Sequence, residues 1–352
     1  MLRFNATSIY DLEHDCRTSK KPWSKRKDKN DGLKLIEKQL ENEGELNDTD
    51  DFKSLENLDF EIKPDLKKAL QEDIKKIKQN IDIQKAGEAY QNGNLNDFYT
   101  AVGFQDGENE GFTNTEKAMI AALILAALRS KPLFSKAVED AVKPRPNAFF
   151  DPFAGLKPSV LFSPQSKTIQ DYIRNYTGQK IGYIGATTRQ GVQSIFINAL
   201  ENNHSPDKIK ADLRNIIGLS PRQIKAYQNR EAQLIANGFN GKRLKDALNA
   251  FSEKQLNYRI EMIARTEASF IKNQGQVMLL KENIDLNNVA GKVPHKKWVT
   301  FPWDRVCSIC MPLDGKTIPL NAFFDGIYDS SPAHPNCHCT TLIVYLEPKI
   351  EG

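Results

Sequence analysis

Five potential metal ligands lie near the C-terminal end of the sequence: Cys307, Cys310, His334, Cys337 and Cys339. Two residues separate Cys307 from Cys310, and a turn of that length brings both sulfurs to one side. The second group, His334-x2-Cys337-x-Cys339, can present its donors in the same way. Because zinc prefers four thiolate or imidazole ligands in a tetrahedral arrangement, we predict a zinc site built from four of these five side chains.

His338 is a sixth potential donor, but its position in the sequence disfavours it. In an extended segment Cys337 and Cys339 point to one face and His338 points to the other. Four protein ligands leave no open position for water, so the predicted metal is structural and not catalytic. Which four donors bind stays open at this point, and free thiols or oxidised pairs remain the alternative to a metal.

Short β-rich runs surround these donors and predict a small antiparallel sheet. They are Trp298–Thr300, Lys316–Ile318 and Leu342–Tyr345, and Asp314-Gly315 is a strong turn signal before the second run. Met1 to Arg17 contains no apolar centre of a secretion signal, so we expect a reducing compartment in which clustered cysteines bind metal. The sequence therefore predicts a metal-stapled β module over residues 291–352.

A helical array is predicted over residues 167–290. Ser205-Pro206 and Ser220-Pro221 each place a serine at the N-cap and a proline at the first helical position. Together with Gly218 and Gly238 as left-handed stops and Ser252 as a further cap, they predict helices over 206–217, 221–237 and 253–282.

Glu267 lies on the apolar stripe of the last predicted helix. A buried carboxylate is unfavourable unless it is paired, and Arg265 is only two positions away, so it cannot face Glu267 on a helix. Either a partner comes from elsewhere, with the C-terminal module nearest in sequence, or Glu267 lies at the edge of the stripe and reaches water.

The N-terminal half divides by composition. With 352 residues, 39% of them hydrophobic and 27% charged, the chain is long enough for two or three compact units joined by solvated segments. Residues 61–145 are predicted to be helical, with one helix from about Pro64 to Asp82 and another starting at Thr113. The apolar run Ala118–Leu128 is too short to span a membrane, and a Pro/Phe-rich linker is predicted over 146–166.

Residues 1–60 are predicted to form a charged, largely disordered arm, because few of them could contribute to a core. A basic block is followed by an acidic one. In the basic block the candidates for DNA binding are Lys20, Lys21, Lys25, Arg26 and Lys27. The other interpretation is a solvated tail whose two blocks partly neutralise each other.

Several ordered motifs together resemble the Mu F-like phage head morphogenesis family, the minor head proteins of tailed phages. They are Arg265-Thr266-Glu267, Asn273, Gly275, Trp298, Asp304-Arg305-Val306-Cys307-x2-Cys310, Leu313-Asp314-Gly315 and His334-Pro335-Asn336-Cys337-His338-Cys339. The similarity covers roughly residues 170–345 and includes the upstream Gly218 to Gln223. One departure is His338, which stands where the family usually has arginine.

The resemblance implies a low-copy protein of the virion that acts in head assembly near the portal and in packaging or delivery of double-stranded DNA. Its expected partners are the portal protein, the major capsid or scaffolding protein, and DNA, with no membrane. The fold expected from the whole sequence is α+β, with Arg265 and Glu267 bracing the C-terminal module. No established catalytic activity comes with the resemblance.

A metal-stapled nuclease is the alternative function, because Cys-x2-Cys followed by His-Pro-Asn loosely resembles nucleases of the His-Asn-His type. Such an enzyme needs a general-base histidine and a second, hydrated metal, for which Asp304, Asp314, Asn336 and His334 are the available groups. No separate His-rich motif accompanies them. A transferase built on Arg265 and Glu267 has less support, since both lie within one helical segment.

Overall fold

The computed structural model describes residues 58–104, 110–141, 162–283, 293–300, 306–334, 337 and 339–346. The charged arm predicted over 1–60, apart from its last three residues, and the linker predicted over 146–166, apart from residues 162–166, lie outside this part of the chain.

The chain divides into two compact units. One comprises Met1–Lys63, Ile120–Arg174 and Arg265–Gly352, and the other comprises Pro64–Met119 and Asn175–Ala264. We call the first the sheet unit and the second the helical unit. The described helices are α1 Leu58–Asn80, α2 Ile83–Gln91, α3 Leu95–Ala101, α4 Thr113–Ala141, α5 Lys167–Glu201, α6 Pro206–Ile216, α7 Pro221–Ala236 and α8 Gly241–Glu282.

The Ser-Pro signals place α6 and α7 as the sequence predicts, within one residue at each end. Ser205 accepts a hydrogen bond from the backbone N–H of Lys208, and Ser220 forms a reciprocal capping box with Gln223. Gly218 adopts a φ of +90° and Gly238 a φ of +79°, the left-handed conformation that a helix stop requires. Side chains from α5, α6, α7, α8 and the connection between α6 and α7 form a core in the helical unit: Ile195, Ile216, Leu219, Ile224, Tyr227, Leu234 and Leu248.

Two predicted helix starts are wrong, those of α8 and α1. α8 begins at Gly241, well before Ser252, which is buried inside the helix and donates its hydroxyl hydrogen bond to the carbonyl of Asn215. α1 begins at Leu58 and contains Pro64, and α4 continues through Pro132 to Ala141. In each case a residue that often marks a helix end is accommodated within the helix.

The sheet unit contains a three-stranded antiparallel sheet in the order β2-β1-β3. Its strands are β1 Val293–Val299, β2 Thr317–Pro319 and β3 Thr340–Leu346, with Lys297 opposite both Thr317 and Leu342. This sheet follows a predominantly helical chain, so the predicted α+β class is confirmed. In the part of the chain that the structure describes, no helix is both long and apolar enough to cross a bilayer.

Candidate metal centre

Cys307 and Cys310 are held by a tight turn that leads into a 3-10 helix, Met311–Leu313. The backbone N–H of Met311 donates to the carbonyl of Cys307 at 2.9 Å, and the N–H of Cys310 lies 3.4 Å from the Cys307 sulfur. Pro312 inside the 3-10 helix fits this turn, since it needs no backbone donor there. Local chain geometry therefore aims both sulfurs to one side, as the two-residue spacing predicts.

His334, Cys337 and Cys339 come from the segment that leads into β3. The Nε2 atom of His334 lies 3.1 Å from the sulfur of Cys307 and 3.3 Å from that of Cys310, and the sulfurs of Cys310 and Cys337 are 3.6 Å apart. The donors form two groups of three, Cys307/Cys310/His334 and Cys310/Cys337/Cys339. Within each group all ligand atoms lie within 4.8 Å of one another. The structure thus brings all five predicted donors together, with Cys310 common to both groups.

The 3.6 Å between the sulfurs of Cys310 and Cys337 fits a tetrahedral zinc ion, and the two nitrogen–sulfur distances of 3.1 and 3.3 Å are shorter than the spacing of bound ligands. With Zn–S near 2.3 Å and Zn–N near 2.0 Å, tetrahedral geometry places ligand atoms about 3.6 to 3.8 Å apart. Contacts between donor atoms run from Cys307 to His334, from His334 to Cys310 and from Cys310 to Cys337. Cys339 lies within 4.8 Å of both Cys310 and Cys337, so Cys337 and Cys339 are both candidates for the fourth ligand.

Hydrogen bonds within the cluster shift the pKa values of two thiols in opposite directions. Hydrogen bonding with Cys310, and next with Cys339, lowers the pKa of the Cys337 thiol well below its usual range. Hydrogen bonding with Cys307 and Cys337 raises the pKa of Cys310. One thiolate therefore suppresses ionisation of its neighbours, and a divalent cation would remove that conflict by compensating several thiolates together.

An apolar core encloses the cysteines. Trp298 packs edge-on against Phe324, with ring centroids 5.2 Å apart, and the Tyr328 ring lies at a tilt to it with centroids 6.2 Å apart. The same cluster contains Cys310, Leu313, Ala333, Cys337 and Cys339. A closed, apolar surrounding of this kind is typical of a structural metal site and leaves little access for a substrate.

Glu267 lies in the α8 segment that belongs to the sheet unit, and only 1% of its surface is exposed. The interpretation in which it reaches water is therefore wrong. Burial raises the pKa of Glu267 from 4.5 to about 8, so the side chain is largely protonated near neutral pH. Arg265, two positions earlier, is partly buried.

Asn273 and Gln274 on α8 bond to the segment that precedes His334. The Nδ2 atom of Asn273 donates to the carbonyl and the hydroxyl oxygen of Ser331, both at 2.9 Å. The Nε2 atom of Gln274 donates to Asp329 Oδ2 at 3.2 Å and to Ser330 Oγ at 3.1 Å. Of these two helix residues, the sequence analysis identified only Asn273.

Lys296 and Asp329 are the most prominent residues that sequence reasoning missed. Lys296 is completely buried, and its Nζ atom donates to Asp329 Oδ1 at 2.5 Å and to the Asp329 carbonyl at 2.7 Å. The signal for Lys296 was present, because it lies two residues before the core Trp298 and so on the same face of β1.

Several residues that the sequence analysis singled out do not belong to the donor cluster. Asp314 accepts a hydrogen bond from the backbone N–H of Thr300 at 2.8 Å, which is the role expected of a turn residue. Asp304, His338 and Asn336 are outside the described residues. So are the candidate DNA-binding residues Lys20, Lys21, Lys25, Arg26 and Lys27.

Comparison with known proteins supports the family resemblance. Residues 225–342 match the model of the family described as Phage Mu protein F like protein, a region that begins in α7 and ends in β3. The match confirms the predicted relationship to the Mu F-like family over this part of the chain and indicates a protein of phage head morphogenesis. Searches among curated proteins and among solved structures found no match.

Proposed function

We propose that this chain is a minor head protein of a tailed phage, which acts in head assembly at or near the portal and in DNA packaging or delivery. The observation that carries the proposal is the family match over residues 225–342. The arrangement of the matched region supports it, because Trp298, Cys310 and Leu313, which belong to separate sequence motifs, pack in a single core. Its partners in this function are the portal protein, the major capsid or scaffolding protein, and double-stranded DNA.

Quantitative mass spectrometry of purified procapsids and mature particles tests this role. A minor head protein is expected in both at low copy relative to the major capsid protein, and a variant phage lacking the gene should yield defective heads. If the chain is absent from procapsids and particles and its loss leaves head assembly normal, the proposal is wrong.

The donor cluster has a structural role in this proposal, as the binding site of one zinc ion. Cys307, Cys310 and His334, together with Cys337 or Cys339, would hold the ion, which when bound would cross-link the two halves of the module. Elemental analysis of protein purified without chelators should give about one zinc per chain. Metal-free protein whose thermal unfolding is insensitive to added zinc would contradict this role.

The position of His334 argues against the nuclease alternative. His334 is fully buried, and its Nε2 atom contacts the sulfurs of Cys307 and Cys310, so it is placed as a donor in the cluster and not as a solvent-facing base. Incubating purified protein with plasmid and Mg²⁺ or Mn²⁺ is the direct test. The structural role predicts intact plasmid, whereas cleavage that His334→Ala abolishes would favour the nuclease.

A further inference from the structure

The segment Asp329–Ser331 is held by side chains from three elements of the sheet unit. Lys296 of β1 contacts both the carboxylate and the carbonyl of Asp329, and Gln274 of α8 donates to the other carboxylate oxygen. From β3, Thr341 accepts a hydrogen bond from the backbone N–H of Ser331 at 2.8 Å. These contacts fix the segment between the helix and the sheet.

The buried charge of Lys296 makes the position of Asp329 specific. A buried ammonium group is strongly unfavourable unless it is paired and hydrogen-bonded, and Lys296 has no surface exposure. Asp329 satisfies it through two oxygens, one of which belongs to the main chain. If the backbone at Asp329 moved, Lys296 would lose its bond to the Asp329 carbonyl. The contact between Lys296 and Asp329 therefore fixes the position of the backbone at Asp329.

That backbone path leads directly to the metal donors. His334 is three residues after Ser331, and the backbone N–H of Cys337 donates to the carbonyl of His334 at 3.2 Å. The donors Cys337 and Cys339 then lead into β3, whose pairing with β1 holds the far end of the segment. The donor segment is therefore anchored at both ends, and Asp329 provides the anchor that depends on charge.

We propose that Asp329, held by Lys296 and Gln274, is a positioning residue that orients the segment carrying His334, Cys337 and Cys339 for metal binding. This inference rests on the proposed zinc site. Groups that hydrogen-bond directly to metal ligands typically change metal affinity about 10- to 100-fold when they are replaced, and we expect the lower end of this range for Asp329. Asp329 acts through the main chain that carries the ligands.

Asp329→Asn in the full-length protein tests the inference, with Asp325→Asn as the matched control. Both aspartates pair with a lysine of the sheet unit, but the Lys316 and Asp325 side chains are 42% and 43% exposed. Asp325 also has a φ of +49°, a conformation that asparagine tolerates. The measurements are the zinc content, the rate of zinc release to a chromophoric chelator, and the visible spectrum of the cobalt-substituted protein.

We expect Asp329→Asn to release zinc about 10-fold faster or more and to shift the cobalt ligand-field bands, while Asp325→Asn matches the wild type. A residue that only stabilised the fold would leave the cobalt spectrum of the folded protein unchanged. Equal zinc release and identical cobalt spectra for the wild type and both variants would overturn the inference but leave the zinc site intact. A wild type that binds no zinc would overturn both.

A second variant covers the case in which Asp329→Asn fails to fold because Lys296 is left unpaired. Lys296→Gln combined with Asp329→Asn replaces the ion pair by two neutral amides of similar size, which removes the buried charge. This double variant should fold and still release zinc faster than Asp325→Asn. Wild-type release from the folded double variant would show that the charged pair does not position the ligands.

Discussion

Cys310 occupies the centre of the donor cluster, because it alone belongs to both groups of three. Its sulfur lies 3.3 Å from Nε2 of His334 and 3.6 Å from the sulfur of Cys337, whereas Cys339 belongs to the second group only. The five donors are therefore not equivalent, although their spacing in the sequence makes them look so.

Replacing Cys310 should lower the zinc content of the protein more than replacing Cys339. Cys310→Ser removes the donor that belongs to both groups, so we expect loss of stoichiometric zinc, whereas Cys339→Ser leaves the group Cys307/Cys310/His334 intact with Cys337 as a fourth donor and should retain about one zinc per chain. Elemental analysis of the two variants, prepared side by side, gives the comparison. Retention of zinc by Cys310→Ser and its loss from Cys339→Ser would show that the ligand set is different.

Glu267 should make the folding stability depend on pH. The folded state keeps the Glu267 proton up to about pH 8, whereas the unfolded chain releases it near pH 4.5. Between these values the unfolded state binds fewer protons, so the contribution of Glu267 to stability falls as pH rises, by at most about 1.4 kcal/mol per pH unit, and becomes constant above pH 8.

Glu267→Gln should remove this dependence, because glutamine fills the same space without an ionisable group. Denaturant unfolding between pH 5 and pH 8.5 should show the wild type losing stability relative to Glu267→Gln as pH rises, by up to about 4 kcal/mol in total. Glu61→Gln is the control, since the Glu61 side chain is 48% exposed. Parallel stability curves for the wild type and Glu267→Gln would contradict the prediction.

The clustering of the four cysteines with His334 was predictable from sequence, because cysteines and histidine at these spacings are typical of metal sites. The pairing of Lys296 with Asp329 was not, since the two are far apart in sequence and a lysine in the run Lys296-Lys297 is ordinarily solvated. Alternation on β1 assigns Lys296 to the face of Trp298, but only the fold shows which carboxylate meets it.

At the scale of elements, α4 and α8 approach closely within the sheet unit at Gly275. A Cβ atom added there would lie 2.4 Å from the Cβ of Ala126 and 2.7 Å from its carbonyl carbon. Backbone atoms cannot move aside as the end of a flexible side chain can, so only glycine fits this crossing. The glycine that the family resemblance singles out therefore has a packing explanation.

Gly275→Ala should destabilise the protein, and Gly185→Ala should not. Overpacking of this kind typically costs about 1–3 kcal/mol, whereas alanine at an open helical position gains up to about 1 kcal/mol over glycine. Gly185 lies within α5 with no atom within 4 Å of an added Cβ. Thermal unfolding of the two variants measures the difference in stability. Equal effects, or a larger loss for Gly185→Ala, would show that α4 shifts to make room for the added methyl group.

Helix ends were predictable where cap chemistry is specific. Ser205-Pro206 and Ser220-Pro221 combine a side-chain acceptor with a residue that needs no donor, and both helices begin there. Ser252 gave a wrong helix start because serine is favoured at N-caps, whereas here it lies inside α8 and its hydroxyl donates to the carbonyl of Asn215 in the neighbouring helix. Tertiary packing decided that boundary, and no local pattern in the sequence reveals it.

At the scale of the whole molecule, charge is unevenly distributed along the chain. The net charge is only +4, yet Lys20, Lys21, Lys25, Arg26 and Lys27 fall within eight consecutive positions, as their numbering shows. Binding to DNA phosphates releases counterions, so log K falls with log salt by about 0.9 for each contact. If this block contacts DNA in the proposed role, its removal should be visible in the salt dependence.

Deleting residues 1–35 should weaken nonspecific binding to duplex DNA and reduce its salt slope by about 0.9 for each lost contact. A full-length variant with all five basic residues changed to glutamine should behave in the same way, because it keeps the length of the arm and removes only its charge. Deletion of the acidic stretch 37–51 is the control, and it should not weaken binding. Fluorescence anisotropy over a series of salt concentrations provides the slopes. Unchanged affinity and slope in the glutamine variant would assign the arm a partner other than DNA.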